Sequence, residues 1–516
     1  MSINKQVRLE ALLKRAKRIY PSHLKRNSIV NLNVEDLLGS HEKLIMDPVH
    51  GGIAISRREV AIIDHALFQR LRFICQNDIL SLVFPGATHS RFLHSIGAMH
   101  VGGRMFMAMV ENGLKLAAKT LNNHQIRSET LEAISYFHRI VRCACLLHDS
   151  GHSSFSHQFS RTDTIQKLLG EKDLFKELWA GIDARFAYPE TPSFLEHEHY
   201  SIRIAHEILE DIANNHPHIN EDGIIMRDIL ALMETADIAP SQSFETHAQN
   251  LWPIMQQDLE RRLPEKFGFK VRDMLSLIVS GELDADRADY MLRDGFHSSV
   301  TIGGFNLDHL LSNLSFGLCE QTGWVGMAIA DKGLSSLEDF VYSRHQMYRQ
   351  VYAHKTAQGF DWLLRAAINE VMLDPKTDKF VKMSLRDVQQ FKNLSDNYFW
   401  EAFRCYAETR THSYSRCILE RIKMPHLATR VNLSKNEEST YRQFLADEQH
   451  VPVDTIIVSS ITARFTRIRD QFSEIKVLKK DSNGNVTYKL IAKTSRFFDK
   501  FSDDRIIHFY TDPCAK

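Results

Sequence analysis

Apolar side chains recur at helical spacing along most of the chain between residues 43 and 419. They repeat every three or four positions, with turn residues between the periodic segments, in RFLHSIGAMHVGGRMFMAMV, FHRIVRCACLLHD, HYSIRIAHEILEDIA and FDWLLRAAINEVM. This spacing places the apolar positions on one face of a helix, so we predict a mainly helical region. A short hairpin is predicted near residue 50, in DPVHGGIAIS.

The hydrophobic pattern changes beyond about residue 425. β-branched residues become frequent, and apolar positions alternate or run together, in DTIIVSSITA, SEIKVLKKDSNGNVTYKLIAKT and RIIHFYTDP. The SNGN segment has the residues of a hairpin turn. We therefore predict a predominantly α-helical fold with a smaller α/β C-terminal region. The expected divisions are an N-terminal arm at 1–42, a helical domain at 43–424 and the α/β region at 425–516.

The composition is typical of a soluble globular protein. Of 516 residues, 43% are apolar and 25% are charged, with 64 basic and 64 acidic side chains. This balance argues against a protein whose main task is to coat nucleic acid, although nucleic-acid binding is not excluded. No signal-peptide core and no run of about 18 apolar residues is present, so we expect a cytoplasmic protein without a membrane partner.

Histidine is unusually frequent, with 26 residues, many of them between His89 and His206. The run VRCACLLHD ends in His148 and Asp149. An HD dipeptide alone carries little information, because roughly one is expected by chance in a chain this rich in histidine. An imidazole and a carboxylate are costly to bury side by side unless something satisfies them, and a divalent cation does so.

Three other segments could complete a metal-dependent site. Arg91 and His94 are three residues apart and would share a helix face, and EHEHYS offers His197 and His199 as acid–base groups. In LDADRADYMLRD, four chemically active side chains fall within an arc of about 100° on a helix: Asp286, Arg287, Tyr290 and Asp294. Each residue alone is more often structural or solvent-exposed, so the hypothesis rests on their joint occurrence.

The chain resembles the HD-domain deoxynucleoside triphosphate triphosphohydrolases, most closely the vertebrate SAM-and-HD-domain enzymes and their bacterial relatives. The matching segments follow the family order from about residue 43 to 355: DPVHGGIAI, IIDHALFQRLRFICQ, VFPGATHSRFLHSIG, LLHDSGHSSFSHQF, HEHYS, LDADRADYMLRD and RHQMYRQVYAHK. The first forty residues are too short for the SAM domain of the vertebrate enzymes.

The resemblance implies a reaction and the residues that perform it. The reaction would be the hydrolysis of a dNTP (deoxynucleoside triphosphate) to deoxynucleoside and triphosphate, with a metal-polarised water attacking the α-phosphorus. The implied ligands of Mn²⁺, Fe or Zn²⁺ are His94, His148, Asp149 and Asp286. Mg²⁺ would accompany the triphosphate.

The resemblance also implies contacts to the substrate. Phosphates would meet three histidines and three arginines: His152, His157, His197, Arg91, Arg287 and Arg344. The sugar and base would meet Gln76, Tyr290, Asp294 and Tyr352. A tyrosine against the sugar would exclude a 2′-hydroxyl by volume.

Two positions depart from the family pattern around the substrate. Arg287 stands where the family has lysine, so its phosphate contact could be bidentate. His157 is the first choice for the acid that protonates the departing 5′-oxygen, and His197 the second. Ser160 replaces an aspartate that could orient His157, and Asp163 is the nearest carboxylate in sequence.

A nucleotide-driven oligomer, either a tetramer or a hexamer, is a further expectation from the resemblance. The positions that hold a guanine nucleotide between subunits in the vertebrate relative are matched by Lys43, Asp64, Gln69 and Arg72. A second nucleotide site is matched only in part, by Lys332, His354 and Lys355, because Ala330 and Leu311 stand where the relative has arginines.

Two alternatives remain open from the sequence. One is another HD-domain phosphohydrolase, either a phosphodiesterase or a nucleotidase, because the metal residues alone do not separate these reactions. Gln76, Tyr290 and Arg344 favour the triphosphohydrolase. The other alternative is a catalytically inactive HD module that only binds, and the full set of metal-ligand types argues against it.

Overall fold

The structure is a computed structural model of the chain. It describes residues 41–117, 127–183, 186, 192–233, 238–255, 263–319, 323–465, 475–482, 486–499 and 502–514. Apart from its last two residues, the predicted N-terminal arm at 1–42 lies outside this part of the chain.

Helices account for most of the described residues, which confirms the predicted fold class. Residues 57–178 form α1 (Arg57–Asp64), α2 (Ala66–Gln69), α3 (Arg91–Ala117), α4 (Ser128–Leu147), α5 (Ser156–Ser160), α6 (Asp163–Leu169) and α7 (Lys172–Leu178). Residues 197–312 form α8 (His197–Asn215), α9 (Met226–Met233), α10 (Gln242–Met255), α11 (Phe267–Val279), α12 (Ala285–Ser298) and α13 (Leu307–Ser312). The remaining helices are α14 (Leu334–Met347), α15 (Lys355–Val371), α16 (Pro375–Arg386), α17 (Val388–Phe391), α18 (Asp396–Glu408), α19 (Tyr414–Leu419) and α20 (Lys435–Gln449).

Nine strands form three sheets within the described residues: β1 (His41–Asp47), β2 (Gly51–Ser56), β3 (Leu314–Cys319), β4 (Trp324–Ala330), β5 (His426–Val431), β6 (Ile456–Ala463), β7 (Ile475–Lys480), β8 (Val486–Leu490) and β9 (Asp504–Thr511). Strands β1 and β2 pair antiparallel, as predicted near residue 50. Lys480 pairs with Val486, so β7 and β8 form the predicted hairpin, although residues 483–485 of its turn lie outside the described part.

The strand order shows how the C-terminal region joins the helical one. The second sheet has the order β3-β4-β7-β8, and β4 pairs in parallel with β7 from Met327↔Ile475 to Ala330↔Leu478. The third sheet has the order β5-β9-β6 and lies within the C-terminal region. The predicted boundary between residues 424 and 425 therefore separates parts of the chain that share a sheet.

The long helices α3 and α4 pack against each other at the centre of the core, and α12 packs on α3. Small residues permit this approach: a Cβ on Gly97 would lie 2.0 Å from the carboxylate of Asp289, and one on Gly102 would lie 2.5 Å from Cys145 Sγ. Arg142 of α4 is fully buried and forms an ion pair with Glu59 of α1 at 2.6 Å. No helix in the described residues is long and apolar enough to cross a membrane.

Candidate metal centre and substrate cleft

Three helix ends bring the predicted metal ligands together. His94 lies in the first turn of α3, and His148 and Asp149 directly follow the last residue of α4. Asp286 is the second residue of α12, whose N-cap, Asp284, accepts a hydrogen bond from the Arg287 amide. One nitrogen or oxygen atom from each of the four predicted ligands lies within 4.8 Å of the others.

The facing atoms are the Nε2 nitrogens and carboxylate oxygens. His94 Nε2 lies 3.0 Å from Asp286 Oδ1 and 3.6 Å from Asp149 Oδ2. His148 Nε2 lies 3.4 Å from Asp149 Oδ1 and 3.6 Å from Asp286 Oδ1. Two imidazoles and two carboxylates thus converge on one point, as they do around a first-row transition metal.

The hydrogen bonds on the opposite side of each ring test whether a metal fits. His94 Nδ1 lies 2.8 Å from Asp289 Oδ2, and His148 Nδ1 donates to the Cys145 carbonyl at 2.7 Å. These bonds direct both Nε2 atoms into the site, where neither has a hydrogen-bond partner of acceptable geometry among the described residues. In each ring the hydrogen bond at Nδ1 fixes the orientation, and the buried Nε2 that lacks a hydrogen-bond partner is suited to bind a metal ion.

Electrostatics favour the charged forms of the carboxylates. Burial alone would raise the pKa of Asp286, but the adjacent His148 and His94 imidazoles lower it below its ordinary value. For Asp149, burial is likewise outweighed by nearby histidines and by Arg91, which donates a hydrogen bond to Asp149 Oδ2. Ionised carboxylates are the form that ligates metals.

The three histidines predicted to meet phosphates form a second group beside the first. His152 stacks on His197 with ring centroids 3.9 Å apart, and His157 stands edge-on to both, at 5.0 and 5.2 Å. Their ring nitrogens lie close enough to share one small ligand. His152 also lies 3.4 Å from Asp149, so the two groups are contiguous.

These histidines are neutral at neutral pH. Burial lowers the pKa of His197 to about 4 and that of His152 well below its ordinary value. The His157 residue is partly exposed to solvent. Desolvation by the surrounding protein nevertheless lowers its pKa, and the charges of His197 and Arg91 lower it further. A bound anion would raise all three values, because negative charge favours the imidazolium form.

A strained turn presents this histidine group. Phe155 and Ser156 both have left-handed backbone conformations, with φ of 48° and 45°. The Phe155 amide donates to Asp396 Oδ1 at 2.7 Å, and the Cys75 amide donates to Asp396 Oδ2 at 2.8 Å. Asp396 thus ties the turn to the segment that carries Gln76, and strain of this kind persists only where neighbouring groups enforce it.

Arg287, Arg344 and Tyr290 lie close enough together for their charges to interact. Arg344 Nη1 donates to Glu282 at 3.3 Å, and Arg287 Nη1 lies 3.4 Å from Asp284. Burial raises the pKa of the Tyr290 phenol, and the charges that act on it include Arg344 and Arg287, so this phenol is neutral.

Asp294 links the residues predicted to surround sugar and base. It accepts a hydrogen bond from the Tyr352 phenol at 2.5 Å, and His89 Nε2 lies 2.8 Å from its other oxygen. The backbone N–H of Gln76 donates to the His89 carbonyl at 3.0 Å. The side-chain oxygen Oε1 of Gln76 is buried and has no hydrogen-bond partner in the described residues. The three predicted residues are therefore joined through His89.

Some predicted roles have no support in the hydrogen bonds. Ser160 Oγ donates to the His157 carbonyl at 3.2 Å, and no hydrogen bond to the His157 imidazole is found in the described residues. Asp163 begins α6, and no hydrogen bond or ion pair between it and that ring is found in the described part of the chain. His199 accepts from the Glu196 amide at 3.0 Å and so closes the N-terminus of α8.

Sequence reasoning missed the buried network behind His94. Asp289 accepts from Arg293 at 2.8 and 2.9 Å, and His50 Nε2 lies 2.6 Å from its Oδ1. Arg293 also donates to Asp47 at 2.8 Å. The available signal is the DPVHGG segment, whose pattern indicates a hairpin and a family match without assigning a role to Asp47 or His50.

The predicted nucleotide-contact residues lie on the surface in separate groups. Lys43 and Asp64 form an ion pair at 2.9 Å, with side chains 52% and 58% exposed. Arg72 donates to Gln69 at 2.7 Å and lies 3.6 Å above the Phe92 ring. Other elements carry the second set: Lys332 in the turn after β4, His354 at the N-cap of α15, and Lys355 as its first residue.

Comparison with known proteins shows which proteins the chain is similar to. The family model of the HD associated region matches residues 308–480. The chain is 26% identical over 403 residues to the human deoxynucleoside triphosphate triphosphohydrolase SAMHD1, covering 75% of this chain and 54% of that one. It is 25% identical over 377 residues to the protein MJ1154 of Methanocaldococcus jannaschii, covering 72% and 60%. The chain thus spans a little over half the length of these relatives.

Two solved structures share the fold. A protein from Aquifex aeolicus aligns with a TM-score of 0.58 and 21% identity, over 91% of this chain and 96% of that one. A phosphohydrolase from Bacteroides thetaiotaomicron aligns with a TM-score of 0.55 and 20% identity, over 91% and 99%. These findings confirm the resemblance seen in the motifs: the chain is similar in sequence to deoxynucleoside triphosphate triphosphohydrolases and shares the helical fold of the solved phosphohydrolase.

Proposed function

We propose that this protein is a metal-dependent phosphohydrolase that cleaves dNTPs into deoxynucleoside and inorganic triphosphate. The observation that carries the proposal is the proximity of three groups: the His–Asp cluster, the neutral histidines that meet it through His152 and Asp149, and the arginine pair Arg287 and Arg344, of which Arg287 interacts electrostatically with Asp286. Together they offer a place for a metal, for a proton donor and for a polyanionic leaving group.

The metal would be held by His94, His148, Asp149 and Asp286, and the donor set suits Mn²⁺, Fe or Zn²⁺. When bound, it would polarise water and the α-phosphate. A Mg²⁺ ion would enter with the triphosphate rather than bind the protein alone.

The protein's own cations would stabilise the leaving group. Arg91 donates a hydrogen bond to Asp149 of the candidate metal centre, and Arg287 lies close enough to Asp286 for their charges to interact. Arg344 and Arg287 both face the Glu282 carboxylate. Guanidinium groups remain charged at any working pH, so they can stabilise negative charge that grows on the departing triphosphate.

The leaving 5′-oxygen needs a proton, which we assign to His157 or His197. Both imidazoles are neutral before substrate binds. A bound triphosphate would raise the pKa of both, so that one can take up a proton and deliver it to the oxygen. His157 remains the first choice because it is the more accessible of the two.

The deoxy-sugar would lie against Tyr290, with Gln76 and Asp294 as polar contacts and Tyr352 towards the base. Tyr352 is oriented by its hydrogen bond to Asp294. A phenol packed against C2′ leaves no volume for a hydroxyl, which would select deoxynucleotides. Control of cellular dNTP pools, including limitation of phage replication, is the biological role that such an activity serves.

Regulation is the second component of the proposal. Lys43, Asp64, Gln69 and Arg72 would bind a nucleotide at a subunit interface, with Asp64 on the base and the two cations on phosphates. A nucleotide that binds only the assembled state stabilises it by mass action. The expected assembly is a homotetramer or homohexamer.

The test is product analysis with labelled dNTP and purified, metal-loaded protein. Wild type should release intact triphosphate and deoxynucleoside. Asp149→Ala should lose bound metal and at least about 10³-fold in turnover, since water activation is lost. His197→Ala should keep the metal and bind dNTP but turn over about 10²–10⁴-fold more slowly.

Three results would contradict the proposal. Stepwise release of phosphate would exclude attack at the α-phosphorus, and full activity of a metal-free Asp149→Ala protein would exclude the metal centre. Cleavage of cyclic or oligonucleotides in place of dNTPs would favour a phosphodiesterase, the remaining alternative reaction.

A further inference from the structure

The carboxylate of Glu282 lies between the two arginines that the proposed function assigns to the triphosphate. Glu282 Oε2 accepts a hydrogen bond from Arg344 Nη1 at 3.3 Å, and Glu282 Oε1 lies 3.9 Å from Arg287 Nη1. The Glu282 side chain is only 18% exposed, and those of Arg344 and Arg287 are 9% and 24% exposed. Glu282 therefore faces two largely buried cations, and Asp284 lies 3.4 Å from the same Nη1 atom of Arg287.

Both guanidinium groups still have unused donors. Arg287 Nη1 and Arg344 Nε are buried and have no hydrogen-bond partner among the described residues. Guanidinium groups bind carboxylate and phosphate oxygens with the same planar set of donors. A phosphate group that engages both arginines therefore either displaces the Glu282 carboxylate from Arg344 Nη1 or binds beside that carboxylate, whose negative charge opposes it.

We infer that Glu282 is a resident anion that competes with triphosphate for Arg287 and Arg344 and lowers the affinity of the cleft for triphosphate-bearing ligands. The inference rests on the proposed function, because it takes these two arginines as triphosphate contacts. It adds a residue outside the metal centre that sets how tightly substrate and product bind.

The consequence for turnover follows from charge. When triphosphate displaces the carboxylate, the negative charge of Glu282 stays in a poorly solvated cleft and repels the bound anion. This repulsion acts on the leaving group after cleavage as well as on the substrate. Glu282 therefore speeds release of triphosphate and limits product inhibition, while it raises the KM for dNTP.

The probe is inorganic tripolyphosphate, titrated calorimetrically into metal-loaded protein. Glu282→Gln removes the charge and preserves the size of the side chain, so affinity should rise about 5- to 20-fold, the range for loss of one competing charged contact in a partly buried site. Glu282→Asp retains the charge and should change affinity by less than about twofold. The KM for dNTP and the inhibition constant of tripolyphosphate should fall together in Glu282→Gln.

Glu438→Gln is the matched control. Glu438 pairs with Arg505 at 2.5 Å, and its side chain is 22% exposed, but it lies in α20, away from the cleft. Its loss should leave tripolyphosphate affinity unchanged. Glu282→Ser provides a second neutral variant, judged together with the thermal unfolding midpoint, in case the amide of Glu282→Gln disturbs folding.

Unchanged or weaker binding of tripolyphosphate by the folded neutral variants would overturn the inference, as would an absence of tripolyphosphate binding by every variant. The proposed function fails separately. If no dNTP is hydrolysed but Glu282→Gln binds tripolyphosphate more tightly, the proposed reaction is wrong, and the inference that Glu282 competes with triphosphate is confirmed. If dNTP yields triphosphate but the affinities are equal, only the inference fails.

Discussion

At the scale of single residues, Asp289 orients the His94 ring within the candidate metal centre. Its carboxylate contacts His94 Nδ1, His50 and Arg293, and all of these side chains are almost fully buried. Burial would raise the pKa of Asp289, but Arg293 and the hydrogen bonds hold it well below the ordinary value. The ionised carboxylate fixes both the ring orientation and the basicity of Nε2.

Asp289→Asn tests this role. The amide cannot reproduce the charge that orients His94, so metal affinity should fall about 10- to 100-fold, the usual effect of losing a partner behind a metal ligand. The measurement is competition for the metal with a calibrated chelator. Asp228→Asn is the control, because Asp228 is equally buried but bonds to Tyr136 and Ser241 instead. Equal metal affinity of the two variants would contradict the role.

At the scale of elements, the turn after α4 must touch the start of α8. A Cβ on Gly151 would lie 2.2 Å from both the His197 carbonyl and the Ser201 amide nitrogen, so only glycine permits this approach. The contact lets His152 stack on His197. The histidine cluster thus depends on how closely two backbones approach, in addition to the three imidazoles themselves.

Gly151→Ala should separate the turn from α8. We expect a loss of about 1–3 kcal/mol in the free energy of unfolding, as for other overpacked sites. The rate of dNTP cleavage should fall at least about tenfold, because small displacements of catalytic groups reduce the rate strongly. Urea unfolding and the product assay measure the two effects. Gly304→Ala is the control, since its nearest neighbour lies 3.6 Å away. Wild-type stability and rate in Gly151→Ala would show that the approach is not required.

At the scale of the whole molecule, the sheet of β3, β4, β7 and β8 joins the C-terminal region to the helical one. Tyr510 of β9 donates to the Lys355 carbonyl at 2.5 Å, and the π-helical segment Tyr348–Tyr352 directly precedes this junction. The candidate nucleotide contacts Lys355 and His354 therefore lie where the C-terminal strands meet the cleft helices.

Arg72→Glu tests the proposed regulation. Reversal of this exposed charge should abolish any nucleotide-induced rise in rate or molecular mass and leave metal content intact, because the cation would no longer meet phosphate. The measurements are dNTP hydrolysis and light scattering with each added nucleotide. Arg430→Glu is the control, since Arg430 also lies over an aromatic ring, at 4.3 Å from that of Tyr441. Wild-type activity that no nucleotide changes would refute the regulation.

The sequence by itself determined the helical class and the terminal strands, and its resemblance to a known family picked out the four predicted ligands that converge in the structure. Helical periodicity, β-branched runs and the HD context involve residues close together in sequence, so they can be recognised without knowledge of the fold. Arg91 and His94 share a helix face because three residues separate them, whatever lies around that helix.

Only the tertiary structure decided which distant groups complete the site. Strands β3 and β4 escaped the pattern because both are mostly buried on two faces. β4 is a nearly continuous apolar run, and in β3 the small residues Ser315 and Gly317, between Leu314, Phe316 and Leu318, are buried as well. Asp289, His50 and Asp396 act through contacts to residues far away in sequence, and Glu282 meets Arg344 across 62 positions. The amino-acid type determines the charge and the hydrogen-bonding capacity of each side chain, but tertiary packing determines which partner it binds.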